Sequence, residues 1–116
     1  MDIYHIWCDL KPGVKDVALA EGVSNYLGHL KSQALIEGWR MTRRKLGLAP
    51  STLGEFHIMI ETKDMAQLDA AFRSVSSRRE PVESFHFGTN SLVQNAQFGL
   101  YRDFPDPHRH VGEEKF

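Results

Sequence analysis

The chain has 116 residues, of which 41% are hydrophobic and 25% charged, and its formal net charge is −1. That is the size and balance of one globular domain that can bury a core without staples. Near-neutrality excludes a global attraction to nucleic acid or anionic lipid, and no apolar run approaches the ~20 residues that cross a bilayer.

Ile3 to Leu10 reads as a first strand. Tyr4, Ile6, Cys8 and Leu10 form an apolar side, and Ile3, His5, Trp7 and Asp9 a mixed one. Lys11-Pro12-Gly13 breaks it. Cys8, the only cysteine, rules out an intrachain disulfide and reads as a buried thiol. With Asp2 where a basic leader would begin, it suggests a cytoplasmic protein.

From Val14 to Glu37 the period becomes helical, with Val17, Ala20, Val23, Leu27, Leu30 and Ala34 along one stripe. Gly22 and Gly28 each cost about 1 kcal/mol against Ala unless a neighbour needs the space. Gly38 is the expected left-handed cap. Trp39 to Leu46 predicts a basic second strand, with Trp39, Met41 and Arg43 opposite Arg40, Thr42 and Arg44. A turn over Leu48 to Gly54 leads into the most informative strand, Glu55 to Thr62. There Phe56, Ile58 and Ile60 suit a core, while Glu55, His57, Met59 and Glu61 combine one apolar residue with three ionisable ones.

Asp64 with Gln67 signals the start of a second helix, carrying Met65, Leu68, Phe72 and Val75 and closing with basic Arg78 and Arg79 before Pro81. Val82 to Val93 suggests a short extra helix interrupted around Gly88-Thr89-Asn90. Gln97 to Asp103 is the last strand. Residues 1–104 form the domain, and 105–116, rich in charge, a C-terminal arm that is extended or disordered unless held by a partner.

The order strand, helix, strand, strand, helix, strand is the split, ferredoxin-like βαββαβ pattern of an α+β protein. It predicts a four-stranded antiparallel sheet of order 4-1-3-2 with helices on one face. The other face would expose Ile3, Trp7, Met59 and either Trp39 and Met41 or their neighbours. Apolar surface on that scale marks an interaction site, and a homodimer closing two open faces into a shared barrel covers it.

The start Asp2-Ile3-Tyr4-His5-Ile6-Trp7, the strand Glu55-Phe56-His57-Ile58-Met59-Ile60-Glu61 and the ending Leu100-Tyr101-Arg102-Asp103-Phe104-Pro105-Asp106 carry a resemblance over nearly the whole domain. The chain resembles the dimeric α/β-barrel superfamily, near its small stress-responsive-type and uncharacterised bacterial members. That resemblance implies the fold and the dimer. The superfamily spans cofactor-free monooxygenases, isomerases, haem-handling enzymes and proteins without known activity, and none of its catalytic motifs matches here, so no residue role is carried over.

Chemistry is expected on the mixed face. His57 is the candidate proton acceptor, with His5 or Arg40 polarising a substrate, and Trp7, Met59, Arg40 and Glu61 would line a pocket for a small, aromatic organic molecule. No cofactor is expected. The opposing reading makes these histidines hydrogen-bonded fillers of a dimer core, in a structural or interaction protein. Weaker candidates are a metal held by His57 and His86 or by His108, His110, Glu113 and Glu114, which lacks any firm ligand motif, and a nucleic-acid patch at Arg40, Arg43, Arg44 and Lys45, which lacks interleaved aromatics. Charges on an edge strand more simply block aggregation. No serine lies in a nucleophile elbow.

Overall fold

The computed structural model describes residues 1–105. Its elements are β1 (Asp2–Leu10), α1 (Asp16–Ser32), β2 (Gly38–Arg43), β3 (Phe56–Thr62), α2 (Met65–Ser76), α3 (Val82–Asn90) and β4 (Val93–Arg102). The strands form one antiparallel sheet of order β2-β3-β1-β4, the predicted arrangement, with the two most apolar strands at its centre.

Register decides which side chains share a face, because directly paired residues of antiparallel strands point the same way. Tyr4 pairs with Ile60, Ile6 with Ile58 and Cys8 with Phe56, and this set lies under the helices. Across β2, Trp39 pairs with Ile60 and Met41 with Ile58, so they join the helix-covered face and leave Arg40 and Thr42 on the open one. The expectation that left Trp39 and Met41 open to either side is thereby resolved toward the core. Along β3 burial alternates strictly, with Phe56, Ile58, Ile60 and Thr62 buried and the residues between them half-buried.

The α1 helix is shorter than its periodic stretch, and its buried stripe differs from the expected one in the first turns. Leu19, Val23, Leu27 and Leu30 are its buried stripe, whereas Val17 and Ala20 face outward. Val23, Leu27 and Leu30 are buried as the stripe predicted, so only its first turns shift. The helix ends before Gly38. The Ala34 N–H donates to the Lys31 carbonyl and the Leu35 N–H to the Leu30 carbonyl, with Ala34 at φ 57°, which is a Schellman closure made without glycine. Gly38 instead begins β2, facing the Glu61 carboxylate. Strand β2 stops at Arg43 rather than Leu46, because Leu46 and Gly47 both take positive φ in the connection to β3.

The predicted cap of α2 is present. The Asp64 carboxylate accepts from the Gln67 N–H, while the Gln67 side chain reaches back to the Lys63 N–H. The helix ends at Ser76, and Arg78, at φ 55°, leads away, so Arg78 and Arg79 lie beyond the last turn instead of in it. The α3 helix is continuous through Gly88-Thr89-Asn90, against the expected interruption. The Thr89 hydroxyl donates to the Phe85 carbonyl within it, and its far end packs on α1 at Gly22. The predicted need for space at Gly22 is real, whereas a Cβ at Gly28 would meet nothing within 4 Å. The arm at 105–116 lies outside the described residues apart from Pro105, as do His108, His110, Glu113 and Glu114.

Candidate functional site

Two regions of the fold have the makings of a site, one on each side of the sheet. On the open side, β1 and β3 bring together what their separation of about fifty residues hides. His5 pairs with Met59 and Trp7 with His57 in register, which sets His5 and His57 diagonally across the strands. Their ring nitrogens, Nδ1 of His5 and Nε2 of His57, stand 2.8 Å apart, a direct imidazole–imidazole hydrogen bond. Trp7 stacks on His57 with centroids 4.7 Å apart and planes 13° apart, and the Tyr101 ring of β4 meets His5 edge-on at 4.7 Å. Gly99 makes room for this cluster: a Cβ there would stand 3.2 Å from Trp7 Cζ3 and 3.2 Å from Tyr101 Cε1.

Burial sets the electrostatics of the pair. Removal from water lowers the basicity of His5, and removal from water together with the neighbouring His5 charge lowers that of His57. The bond between them needs one proton on one of the two facing nitrogens, so both cannot be protonated there at once. His5 Nε2 is buried without a hydrogen-bond partner. Among the predicted site residues, Met59 lies between Arg40 and His5 in register, and Glu61 lies further along, between Gly38 and Ile3. Arg40 is exposed on the edge strand. Asp9, at the other end of the face, is occupied by the Glu55 N–H at 2.9 Å and the Asn95 side-chain amide at 3.3 Å.

The second region lies on the helix side of the sheet. The buried core of β1, β3, α1 and α2 does not fill the space toward β4, whose inner residues Phe98 and Leu100 are left 61% and 51% exposed. What remains is a chamber of about 320 Å3. Tyr4, Ile6, Ile58, Leu68, Ala71 and Val75 form much of its wall. Phe72 of α2 and Phe98 of β4 also line it and flank Tyr4, one edge-on at 5.1 Å and the other parallel at 6.0 Å, and both rings reach the surface.

A few polar groups interrupt this apolar lining. Tyr26 of α1 meets the His86 ring of α3 at 5.5 Å, and Asn90 and Thr89 stand nearby. Burial pushes the Tyr26 phenol up to about 12, with the Tyr4 phenol adding to the effect. Cys8 is 1% exposed in the chamber floor. Burial, aided by the Asp9 carboxylate, raises its thiol to about 11, which makes it an inert hydrophobe as its sequence context implied.

The structure separates His57 from His86, one on the open face and the other over the opposite face, so a metal shared by them is excluded. Among the described residues no group of three or more His, Cys, Asp or Glu side chains is arranged to hold a metal. The basic run also disperses. Arg43 turns to the helix side, bonding Asp16 at 2.8 Å and Glu55 at 3.4 Å over the Phe56 ring, and Arg44 folds onto the Leu53 carbonyl. No described helix is long and apolar enough to cross a membrane.

A family model described as a family of unknown function, DUF6614, matches residues 1–116. The chain belongs to DUF6614. No curated protein is similar enough to match it. This DUF6614 chain shares its fold with solved structures of very different sequence. At3g17210 from Arabidopsis thaliana superposes with a TM-score of 0.68 at 10% identity, over 89% of this chain and 95% of that one. A dimeric ferredoxin-like protein of unknown function from Jannaschia sp. CCS1 gives 0.60 at 12% identity, over 89% and 100%. A dimeric protein of unknown function with a ferredoxin-like fold from Bacteroides fragilis gives 0.57 at 10% identity, over 88% and 96%. The ferredoxin-like α+β fold of the DUF6614 chain is thus shared with proteins described as dimeric and of unknown function.

Sequence reasoning found the open-face residues and missed the chamber. Tyr26 carried a usable signal, since it continues the buried stripe of α1 at three residues from Val23 and four from Leu30. Nothing in the sequence signalled that α3 would leave room above β4.

Proposed function

We propose that the protein is a homodimer, closed through its open sheet faces, that binds a small, flat organic molecule in the chamber between helices and sheet. The chamber carries this reading. Native cores hold few voids larger than a water molecule, so an apolar space of about 320 Å3 is too large to be a packing defect. An apolar cavity of roughly 150 Å3 already admits benzene, so this one has room for about two fused rings. Tyr26, His86 and Asn90 supply a polar end that would orient one hydroxyl or carbonyl group of the guest.

The dimer is supported by the half-buried Ile3, Trp7 and Met59 on the uncovered face and by the similar folds described as dimeric. In this reading His5, His57, Trp7, Met59, Arg40 and Glu61 line the dimer interior. Cys8, free and buried, suits a reducing compartment such as the cytoplasm. A second reading keeps the guest against Trp7, with His57 as proton acceptor, and is favoured by the 2.8 Å imidazole pair.

Titration with 2-naphthol, followed by methyl and indole NMR, separates the two. Saturable shifts at Ile58, Leu68 and Val75 support the chamber, shifts confined to the Trp7 indole support the sheet face, and no saturable shift at either sinks both.

A further inference from the structure

The imidazole pair on the open face has a consequence for assembly. If the guest occupies the helix-side chamber, the His5–His57 pair is not needed for binding, yet it sits at the centre of the surface that a second copy would cover. Closing that surface removes water from groups that are already short of it. His5 Nε2 has no partner and no access to solvent even in the single chain, so a proton placed there has neither an acceptor nor hydration. The facing nitrogens, 2.8 Å apart, share a single proton, so a second proton at that contact breaks the bond.

Other charges around the pair do not neutralise an added proton. From β2, Arg40 is opposite Met59 and adds positive charge to the face. From β1, Asp9 is committed to the Glu55 N–H and the Asn95 amide, and just before β3 the Glu55 carboxylate is committed to Arg43. Glu61 is beyond Met59, two positions from the row of His5. From β4, Tyr101 presents its ring edge, and Gln97 and Gly99 carry no charge. Trp7, on β1 with His5, covers the His57 ring across the strands. A two-fold assembly brings four such histidines together, so protonation in one protomer also repels protonation in the other.

We infer that dimerisation is proton-linked through His5 and His57, the closed dimer holding the pair neutral and acid releasing protomers that remain folded. This rests on the open-face dimer proposed above. The sign follows from linkage. In the open protomer burial already lowers the basicity of both histidines, and covering the face removes their remaining water, so the closed state binds fewer protons than the open one. The histidines of the open protomer take up a proton only below the ordinary value of 6.5, so the dimer is at full strength at and above that value and weakens as pH falls through the lowered range beneath it. Uptake of one proton per protomer, two per dimer, raises the dimer Kd about 100-fold for each pH unit in that window. Uptake by both histidines would double the exponent.

Sedimentation equilibrium across the range from about pH 8 to pH 5 reads this directly, with far-UV circular dichroism confirming that the fold persists. The expected result is a dimer at the alkaline end, a Kd that climbs steeply below the histidine value, and a flatter dependence in both His5→Gln and His57→Gln. A monomer at every pH refutes the dimer itself. A wild-type dimer whose Kd is flat, or equally steep in both variants, overturns the proton linkage while leaving the dimer standing. If either variant does not fold, the wild-type imidazole titrations decide. Their midpoints must be lower in concentrated than in dilute protein, and midpoints independent of concentration overturn the inference.

Discussion

Trp7 lies across Gly99: the nearest approach of a Cβ at position 99 to the indole would be 3.2 Å, at Cζ3. Gly99 sits opposite His5 on the neighbouring strand, and its missing side chain lets the indole lie flat over the sheet instead of standing away from it. The stack of Trp7 on His57 depends on that flat pose. Gly99→Val should therefore displace the indole while favouring strand conformation at an edge. The expected outcome is a folded protein with a shifted Trp7 indole resonance and a dimer Kd raised about tenfold, the equivalent of ~1.4 kcal/mol. An unchanged indole resonance would show that the indole does not depend on this space.

Filling the chamber should compete with a guest. Ala71 is 5% exposed and part of the chamber wall, so Ala71→Leu places three further carbons in the space. Burying them in an existing void adds about 1–2 kcal/mol of stability, seen as a raised Tm, and abolishes the 2-naphthol shifts. A variant that is destabilised, by contrast, would mean that the wall is already packed at this point.

The two helix glycines should respond differently to alanine. At Gly28 nothing crowds a new Cβ, so Gly28→Ala is expected to gain about 1 kcal/mol in urea unfolding. At Gly22 the Cβ would stand 3.1 Å from Thr89 Oγ1, and that hydroxyl is already held by the Phe85 carbonyl. The same propensity gain is offset there by strain between α1 and α3. Combining Gly22→Ala with Thr89→Ser, which keeps the hydroxyl, should not recover it, whereas Thr89→Ala should.

Alkaline stability should report Tyr26. Its phenol is raised from 10.0 to about 12, mainly by burial. The folded state thus holds the proton more tightly than the unfolded one, and the associated stability is complete below pH 10.0 and lost as pH rises toward 12. The loss amounts to at most about 3 kcal/mol, and Tyr26→Phe should flatten that part of the stability profile. Cys8 titrates in the same direction, so the comparison is made in a Cys8→Ala background.

Cys8 itself should be unreactive in the native state. Its thiol is 1% exposed and raised to about 11, so Ellman's reagent at about pH 8 should label it only at the rate of unfolding. Rapid labelling of folded protein would show that the chamber floor opens.

Much of the fold was legible because the two central strands state their faces unambiguously. Phe56, Ile58 and Ile60 against His57, Met59 and Glu61 leaves one way to lay β3 down, and its register then places His57 beside His5. Asp64 and Gln67 likewise announce the start of α2 through chemistry local to one turn. Errors fell where local preference was weak and packing decided. The stripe of α1 holds at Val23, Leu27 and Leu30, but in the first turns Leu19 is covered in place of Val17 and Ala20, because the sheet, not the helix, chooses which side is covered. Ala34 closed that helix in place of Gly38, since the Schellman bonds of Ala34 and Leu35 offset the cost of a positive φ at a non-glycine residue.

The sequence by itself determined the strand order, the open face and the presence on it of His5, Trp7 and His57, because alternation in a strand is a two-valued pattern written directly in residue type. The tertiary structure alone decided that the two imidazoles bond to each other, and that Tyr26 and His86 meet above an unfilled space beside β4. Those are matters of angstroms between elements distant in the chain. Hydrophobic pattern says which side of a helix is buried, but the volume left between buried sides depends on how all of them pack at once.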